Sequence, residues 1–341
     1  MRNNITKNIC LGFLVHKQMN KLPLVSIPLI CYNQENFIEI AVRSVLEQTY
    51  DNIELIISDD CSTDKTVELI KDTLIGSSIK YHLNINDKNI GIGGNLSKAI
   101  SLCSGEFIVP ASGDDISHFD RVEKLVNHWL KVGQKIGYIN TDLIKIDKQG
   151  NELSYLRADN FTNYPNINSW INKPQFNIGA EAFSMEFYNK FPAMHNVTGE
   201  DQIFVVRAII LGAGSTIHEP TIKHRIGGIS SKKFFSYEQK IDRLVEDANR
   251  AILDYGQIVI DTEKYTSDVE LSEYITAKIL EAKFTISIFD KNKKIPSYKI
   301  IFGHKYMKLG KKIRFYFYVT APTMMKFLFL ITQPLKSYFK G

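Results

Sequence analysis

Two acidic pairs are the residues of this 341-residue chain best suited to chemistry. Asp114-Asp115 follows an apolar run, and Glu200-Asp201 stands about 85 residues further on, ahead of another apolar run. Adjacent carboxylates repel each other, and Mg²⁺ or Mn²⁺ relieves that repulsion while bridging to phosphates. The first pair therefore predicts a metal and phosphate site, and the second suits a general base that takes a proton from a hydroxyl. Helix capping is the alternative interpretation of both, near His118 for the first pair and at the following helix for the second.

A third acidic pair, Asp59-Asp60, follows the apolar run 53–58. Carboxylates at the end of a buried strand are unfavourable unless a partner uses them. A nucleobase edge or a ribose hydroxyl is such a partner. One of the polar residues 62–64 can cap the next helix, but capping leaves Asp59 and Asp60 unexplained.

Two further polar segments are weaker candidates. Tyr32-Asn33 ends the earliest apolar run, where Tyr32 can stack on a base and Asn33 can cap the next helix, although both residues also suit a plain turn. The glycine-rich segment 89–95 ends in Asn95 and predicts a loop close to a bound donor molecule. A tight turn is an equal alternative there, because the segment lacks the Walker lysine and the full GxGxxG spacing.

The elements that must position these residues alternate along the first half of the chain. Short apolar runs with β-branched residues predict strands, and apolar residues at helical spacing predict helices. The predicted strands are 24–30, 53–58, 79–83 and 106–109, and the predicted helices are 35–48, 64–74 and 94–104. This alternation predicts an α/β fold with a mostly parallel sheet flanked by helices. Ligands bind at the carboxyl ends of such strands, which is where the polar motifs lie.

Composition excludes several classes of protein. The sequence is 44% hydrophobic and 23% charged, which is ordinary for a globular protein, and a net charge of +5 is too modest to predict nucleic-acid binding. Four cysteines without a CxxC pair argue against a thiolate metal site or a disulfide framework and favour reduced thiols in the cytoplasm. Residues 1–20 lack the pattern of a secretory signal and are predicted to be a loose leader.

Taken together, four stretches in order along residues 22–230 resemble the family 2 glycosyltransferases, an inverting group with the GT-A fold. They are Val25–Asn33 with its Tyr-Asn ending, Ile57–Thr66 with Asp-Asp-x-Ser-Thr-Asp, Gly105–Asp115 with Gly-Glu-Phe-Ile before Asp-Asp, and Gly199-Glu200-Asp201. The resemblance implies that Asp59 lies beside the nucleobase and that Asp114 and Asp115 form the metal and phosphate site, with Asp115 the direct ligand. It also implies that Asp201 is the catalytic base, with Glu200 beside it.

The sequence departs from the family pattern in places. Ser112 stands where many relatives carry the first aspartate of a DxD triplet, so metal binding depends on fewer carboxylates. No Gln-x-x-Arg-Trp motif is present, which argues against the processive polymerases of the family. His224 and Arg225 loosely resemble the segment that often closes the donor site.

The expected organisation has three parts. After the leader, residues 21–235 are predicted to form the GT-A domain, with a donor half at 21–116 and an acceptor half at 117–235. Residues 236–341 are predicted to form a helical extension that ends in a basic, aromatic tail. That tail is expected to lie on an anionic membrane surface, because its longest apolar run is too short to span a bilayer. Packing on the catalytic domain or an oligomer contact is the alternative.

The expected function is transfer of a sugar from a nucleoside diphosphate donor, a UDP-sugar above all, to an acceptor hydroxyl on a glycan or lipid-linked substrate. Mn²⁺ or Mg²⁺ is the expected cofactor. The expected setting is bacterial surface polysaccharide or lipopolysaccharide synthesis at the inner face of the cytoplasmic membrane, and a homodimer is a further expectation. The predicted donor-binding residues are Tyr32, Asn33, Asp59, Asp60, Asn95 and Asp114. A nucleotidyltransferase and a catalytically silent nucleotide- or sugar-binding module are the alternatives.

Overall fold

The computed structural model describes most of the chain from residue 22 onward. The described ranges are 22–133, 137–172, 174–177, 179–194, 197–227, 236–263, 265, 269–289, 298–303 and 307–328. The predicted leader, residues 1–20, and the end of the predicted tail lie outside the described residues.

Strands and helices alternate through the first half, and helices dominate the second. The strands are β1 (Val25–Cys31), β2 (Ile53–Asp59), β3 (Lys80–Ile85), β4 (Phe107–Ile108), β5 (Ala111–Ser112), β6 (Ile116–Ser117), β7 (Tyr138–Ile146), β8 (Glu152–Leu156), β9 (Glu181–Ser184) and β10 (Gly214–Arg225). The helices are α1 (Ile38–Leu46), α2 (Thr66–Leu74), α3 (Ile92–Ser101), α4 (Arg121–Lys131), α5 (Met185–Tyr188), α6 (Glu200–Leu211), α7 (Tyr237–Glu263), α8 (Val269–Phe289), α9 (Tyr298–Gly303) and α10 (Leu309–Thr320). The predicted α/β class is confirmed, and the donor-half elements occur where the sequence predicts them, with ends shifted by up to three residues.

One mixed sheet runs through the described part of the chain, in the order β3-β2-β1-β4-β9-β7-β10-β6. β3, β2, β1 and β4 are parallel neighbours, so the donor half is parallel as predicted. β9 then pairs antiparallel with both β4 and β7. The position of β9 in the sheet brings a strand of the acceptor half next to β4, which precedes Asp114 and Asp115 in the chain.

Two hydrophobic cores cover the two faces of the sheet. All seven residues of β2 are buried, as expected for a parallel strand with helices on both sides. α1, α2 and α4 contribute to one core, and α3 and α6 contribute to the other. α4 shows how the sequence produces this packing: Val122, Leu125, Val126 and Trp129 recur at helical spacing and are all buried.

The C-terminal helices pack against α6 and share its core. Ile258 of α7 and Ile275 of α8 lie in the same cluster of buried residues as Phe204 of α6. Arg207 of α6 and Asp261 of α7 form a fully buried ion pair, with Nε to Oδ2 at 2.7 Å and both side chains 0% exposed. The helical extension predicted for residues 236–341 is therefore tied to the acceptor half by shared core packing.

The described part of the basic, aromatic tail also packs on these helices. Ile301, Met307, Phe315 and Tyr318 are buried together against partly buried residues of α7 and α8. No helix in the described ranges is both long enough and apolar enough to cross a bilayer.

Candidate functional site

Asp59 and Asp60 lie at the carboxyl end of β2, and both are buried. Asp59 accepts hydrogen bonds from Ser62, through its backbone N–H at 2.8 Å and through its hydroxyl. Asp60 accepts from the backbone N–H groups of Ile90 and Gly91, each at 2.9 Å. The second carboxylate therefore anchors the glycine-rich segment 89–95, and contact between Asp60 and a nucleotide stays a prediction.

Tyr32 and Asn33 follow β1 at the same edge of the sheet. Asn33 has a left-handed backbone (φ 49°), and its side-chain oxygen accepts from the backbone N–H of Thr63 at 2.8 Å. The capping role predicted for Asn33 is wrong, because α1 begins at Ile38 after Phe37, with no side-chain cap. Asn33 instead ties the loop after β1 to the loop after β2.

Asn95 lies in α3 beneath this edge and is 2% exposed. Its amide donates to the carbonyl of Ser58 at 2.9 Å and accepts from the Ser58 hydroxyl at 2.6 Å and from Asn86 at 3.0 Å. These bonds hold α3 and the glycine-rich segment against β2. Direct contact of Asn95 with a donor molecule stays a prediction.

Asp114 and Asp115 follow β5, where the chain turns between two short strands. The hydroxyl of Ser112 donates to Oδ1 of Asp114 at 2.7 Å, so the residue that replaces the usual aspartate supports the next carboxylate. Asp115 is 8% exposed. Its Oδ1 accepts from the backbone N–H of Arg225 at 2.8 Å, and its Oδ2 lies 3.1 Å from Nδ1 of His224.

The charges at this acidic pair are only partly balanced. Burial and the neighbouring Asp115 raise the pKa of Asp114. The hydrogen bond to Asp115 raises the pKa of His224, which favours a cationic imidazole there. Arg225 also donates from Nε to the backbone oxygen of Asp114 at 2.9 Å. β10, which carries both basic residues, therefore closes over the acidic pair.

Asp201 lies in the first turn of α6, close to the acidic pair Asp114-Asp115. Burial raises its pKa, while the neighbouring Glu181, the backbone of Gly179 and the charge of His224 act in the opposite direction. Gly179 has φ +75°, and a Cβ built on it would lie 3.3 Å from Oδ2 of Asp115. Asp115 and Asp201 thus both lie near Gly179 and His224. Glu200 is buried beside Asp201, and burial raises its pKa.

Comparisons with known proteins identify the fold and the family. The sequence model described as Glycosyl transferase family 2 matches residues 26–190. Residues 26–190 belong to glycosyl transferase family 2. The enzyme class predicted from the sequence, a glycosyltransferase, is that of the family.

Individual relatives agree with this family 2 assignment. The putative glycosyltransferase EpsE of Bacillus subtilis is 33% identical over 132 residues, which is 39% of this chain and 47% of EpsE. An uncharacterized glycosyltransferase of Haemophilus influenzae is 28% identical over 221 residues, which is 63% of this chain and 85% of that protein. Several curated relatives are matched over only about a fifth to a half of their length.

A solved structure shows the same fold at low identity. The structure of residues 1–349 of S. aureus TarS in complex with UDP superposes with a TM-score of 0.53 at 14% identity. The match covers 85% of this chain and 77% of that one. It therefore extends beyond the family 2 match, which ends before α6.

The sequence analysis did not single out two buried residues of this candidate site, Glu181 and Arg121. Glu181 opens β9, is 3% exposed, and hydrogen-bonds to the carboxylate of Asp201. Arg121 is 2% exposed and donates from Nη2 to the backbone oxygens of Gly179 at 3.0 Å and of Glu181 at 3.3 Å. A lone glutamate in the otherwise small and apolar run 178–183 was the one available hint.

The hydrogen bond between Glu181 and Asp201 requires a proton on one of them. Burial and the nearby Asp201 raise the pKa of Glu181 well above its ordinary value. Burial also raises the pKa of Asp201. The two carboxyl groups therefore hold one proton between them and titrate as a pair. The second oxygen of Glu181, Oε2, has no hydrogen-bond partner in the described structure.

The carboxylate oxygens of Asp114 and Asp115 are suitable ligands for a divalent cation. No group of three or more His, Cys, Asp or Glu side chains with metal-binding geometry occurs among the described residues. Two adjacent carboxylates, with the pKa of Asp114 raised by burial and by Asp115, nevertheless form an oxygen site with excess negative charge. Mg²⁺ and Mn²⁺ typically take one or two carboxylates and complete their coordination with water and substrate phosphates. Asp114 and Asp115 fit that pattern.

Proposed function

We propose that the protein transfers a sugar from a nucleoside diphosphate donor to an acceptor hydroxyl with inversion at the anomeric carbon. The observation that carries the proposal is the gathering of Asp115, His224 and Asp201 near the small residue Gly179. A phosphate-side carboxylate and a candidate base in one neighbourhood suit a reacting sugar that is bound between them. Asp59 and Tyr32, at the neighbouring strand ends, would line the nucleotide.

The chain's own residues account for the proton in this reaction. Asp201 takes the proton of the acceptor hydroxyl as that oxygen forms its bond to the anomeric carbon. The bond from that carbon to the diphosphate breaks at the same time, and its electrons leave with the nucleoside diphosphate. Attack opposite the leaving group inverts the configuration. Glu181 holds Asp201 in place by donating to it, while Glu200 supports the same turn.

Asp114 and Asp115 are proposed to hold Mn²⁺ or Mg²⁺, with Asp115 the direct ligand. The cation, when bound, would neutralise charge on the leaving diphosphate. His224 occupies one oxygen of Asp115 at 3.1 Å. The next residue, Arg225, stacks on the ring of Phe37, with the guanidinium carbon 4.7 Å from the ring centre. Both cationic side chains lie where they can stabilise negative charge from donor phosphates.

A UDP-sugar is the donor we favour. S. aureus TarS, which shares the fold, was crystallised with UDP and with UDP-GlcNAc. EpsE and chondroitin synthase of Escherichia coli are among the similar proteins, and the latter name denotes a polysaccharide product. These names support a role in bacterial surface polysaccharide or lipopolysaccharide synthesis.

Calorimetric binding of UDP, dTDP and GDP, each with and without Mn²⁺, tests the donor site. We expect one nucleotide to bind more tightly with Mn²⁺, and Asp115→Ala to abolish that metal dependence. Asp72→Ala, at an exposed aspartate on α2, is a matched control that should bind as the wild type does. If no nucleotide binds to folded protein in either condition, the transferase proposal fails.

We also propose that α10 contacts the cytoplasmic face of a membrane. Leu309, Ile313 and Phe317 recur every four residues on α10 and are 64%, 41% and 37% exposed. Lys308 and Arg314 flank this apolar stripe and are exposed. An exposed apolar stripe with flanking basic residues matches an anionic lipid surface.

Sedimentation with vesicles of anionic and of zwitterionic phospholipid tests this contact. We expect binding to the anionic vesicles only, and loss of at least tenfold in partitioning for Ile313→Asp combined with Phe317→Asp. Leu153→Asp is the control, since Leu153 is 52% exposed on β8, far along the chain from α10. Unchanged sedimentation of the double variant would rule out α10 as the membrane contact.

A further inference from the structure

A separate pocket lies beside the first turn of α6, the turn that carries Asp201. Its volume is about 300 Å³. It lies between α6, the short helical turn that carries Trp170, and helices α7 and α8, and it is partly open to solvent. Trp170, Gln202, Asp254, Tyr255 and Tyr274 contribute its functional side chains. None of the residues described above as donor-binding or metal-binding lines it.

The walls combine flat aromatic rings with hydrogen-bonding groups. Trp170 meets the rings of Tyr255 and Tyr274 edge to face, at 6.2 and 5.9 Å between ring centres. Pro174, Ile203 and Ile258 add apolar lining beside the amide of Gln202 and the carboxylate of Asp254. A sugar ring has an apolar face of C–H groups and an edge of hydroxyls, so it matches both kinds of wall.

The charge of the pocket excludes the phosphate part of a nucleotide. Among the described residues that line it, Asp254 is charged and no lysine or arginine is present. Asp254 also lies close enough to Glu200 to raise the pKa of that residue by its charge. A phosphate would be repelled here, whereas a neutral or amino sugar would not.

The pocket is mechanically joined to the catalytic turn. Oδ1 of Asp254 accepts from the backbone N–H of Thr198 at 2.8 Å and of Gly199 at 3.3 Å, and Oδ2 accepts from the Thr198 hydroxyl at 3.2 Å. Helix α7 thus fixes the two residues that precede Glu200. Gly199 and Gln202 line the pocket, while Asp201, between them in sequence, points toward Glu181.

We propose that this pocket is an acceptor subsite that binds one sugar ring of a glycan acceptor. The proposal rests on the proposed glycosyl transfer. Because the pocket shares the chain segment 198–203 with Asp201, the ring bound here is assigned to a sugar of the acceptor other than the one that receives the new bond. The C-terminal helices therefore select acceptors by recognising more than the terminal sugar.

Tryptophan fluorescence tests the proposal directly. The chain has two tryptophans, and Trp129 is buried against Phe107 in the other core, so Trp129→Phe leaves Trp170 as the reporter. The probes are methyl glycosides of glucose, galactose, mannose and N-acetylglucosamine, together with cellobiose and N,N′-diacetylchitobiose. We expect saturable fluorescence change with at least one of them and none with inorganic pyrophosphate.

Filling the pocket supplies the decisive comparison. Ala251 lines it from α7, so Ala251→Phe should fill the pocket and weaken sugar binding at least tenfold. Gln202→Ala is a second variant, which removes a hydrogen-bonding amide from the wall without filling the pocket. Leu253→Phe adds a ring to an exposed position of the same helix and is the control. No response to any probe, or equal binding by both pocket variants and the control, overturns the subsite. UDP binding with Mn²⁺ is measured on every variant: its retention confines the failure to the subsite, and its absence from the wild type sinks the proposed function itself.

Discussion

Replacing Glu181 by glutamine separates the proton that this side chain donates from the charge that it could carry. Glutamine keeps an N–H donor for Asp201 at nearly the same volume and cannot ionise. Leucine removes the donor altogether. If Glu181 acts as the protonated partner that holds the base, the glutamine variant should keep most of its transfer activity. The leucine variant should lose a hydrogen bond to a charged group, worth about 1.5–3 kcal/mol, which corresponds to about 10- to 150-fold in kcat.

The same substitution has a defined effect on stability. Burial raises the pKa of Glu181 above its ordinary value of 4.5, so the folded state binds this proton more tightly than the unfolded chain does. The contribution of Glu181 to folding is full below pH 4.5 and is lost as the pH rises toward the raised pKa, by about 1.4 kcal/mol per pH unit. Glu181→Gln removes that loss. Its unfolding free energy relative to wild type should therefore increase between pH 5 and 7, as urea titration would show.

Glu54→Gln is the matched control, at the opposite end of β2 from the site. Burial alone would raise the pKa of Glu54, but hydrogen bonds from Ser26, Ser104 and Lys80 hold it at about 2. This stability is present above pH 4.5 and is lost as the pH falls toward 2, so the variant should lose up to about 3 kcal/mol at neutral pH. Its kcat should not change. If Glu181→Gln loses as much activity as Glu181→Leu, the proton-donor role is refuted.

Two further substitutions test the scaffold of the site. Asp261→Ala leaves Arg207 buried without its partner and should lower the unfolding free energy by about 3–5 kcal/mol in urea titration; an unchanged midpoint would contradict the burial of this pair. Gly179→Ala places a methyl group 3.3 Å from Asp115 at φ +75°, so Mn²⁺-dependent nucleotide binding should weaken by calorimetry while circular dichroism stays native. Gly76→Ala, also at positive φ but in open space, is its control and should bind nucleotide normally.

The donor half could be predicted from sequence because its structure follows local patterns. β1, β2 and β4 are short apolar runs, each helix has a single apolar stripe, and Asp59 and Asp115 lie at or just after strand ends. α1 starts three residues later than predicted, because Asn33 takes up a left-handed conformation and bonds to Thr63 instead of capping. The error concerned the partner of one side chain and left the order of elements intact.

The remainder of the site depends on pairings that no local pattern reveals. β9 lies beside β4, with Ser184 opposite Phe107, and only this distant pairing brings Glu181 to Asp201. Asp254 looks in sequence like any charged residue of a long surface helix, yet it anchors the turn ahead of Glu200. Long-range contacts of this kind need the folded chain, whereas strand-end carboxylates do not.

The buried pair of Arg207 and Asp261 also limits how related sequences can vary. A substitution at either position alone leaves an unpaired charge in the protein interior, while replacing both by apolar residues of similar volume is often neutral or even stabilising. Descendant sequences should therefore carry either the complete pair or neither member, with few intermediates. Position 207 lies in α6, which carries the proposed base Asp201, and position 261 lies in α7, which lines the proposed acceptor pocket. The residues at positions 207 and 261 would therefore change together. A change in the packing of α7 would accompany a compatible change in α6.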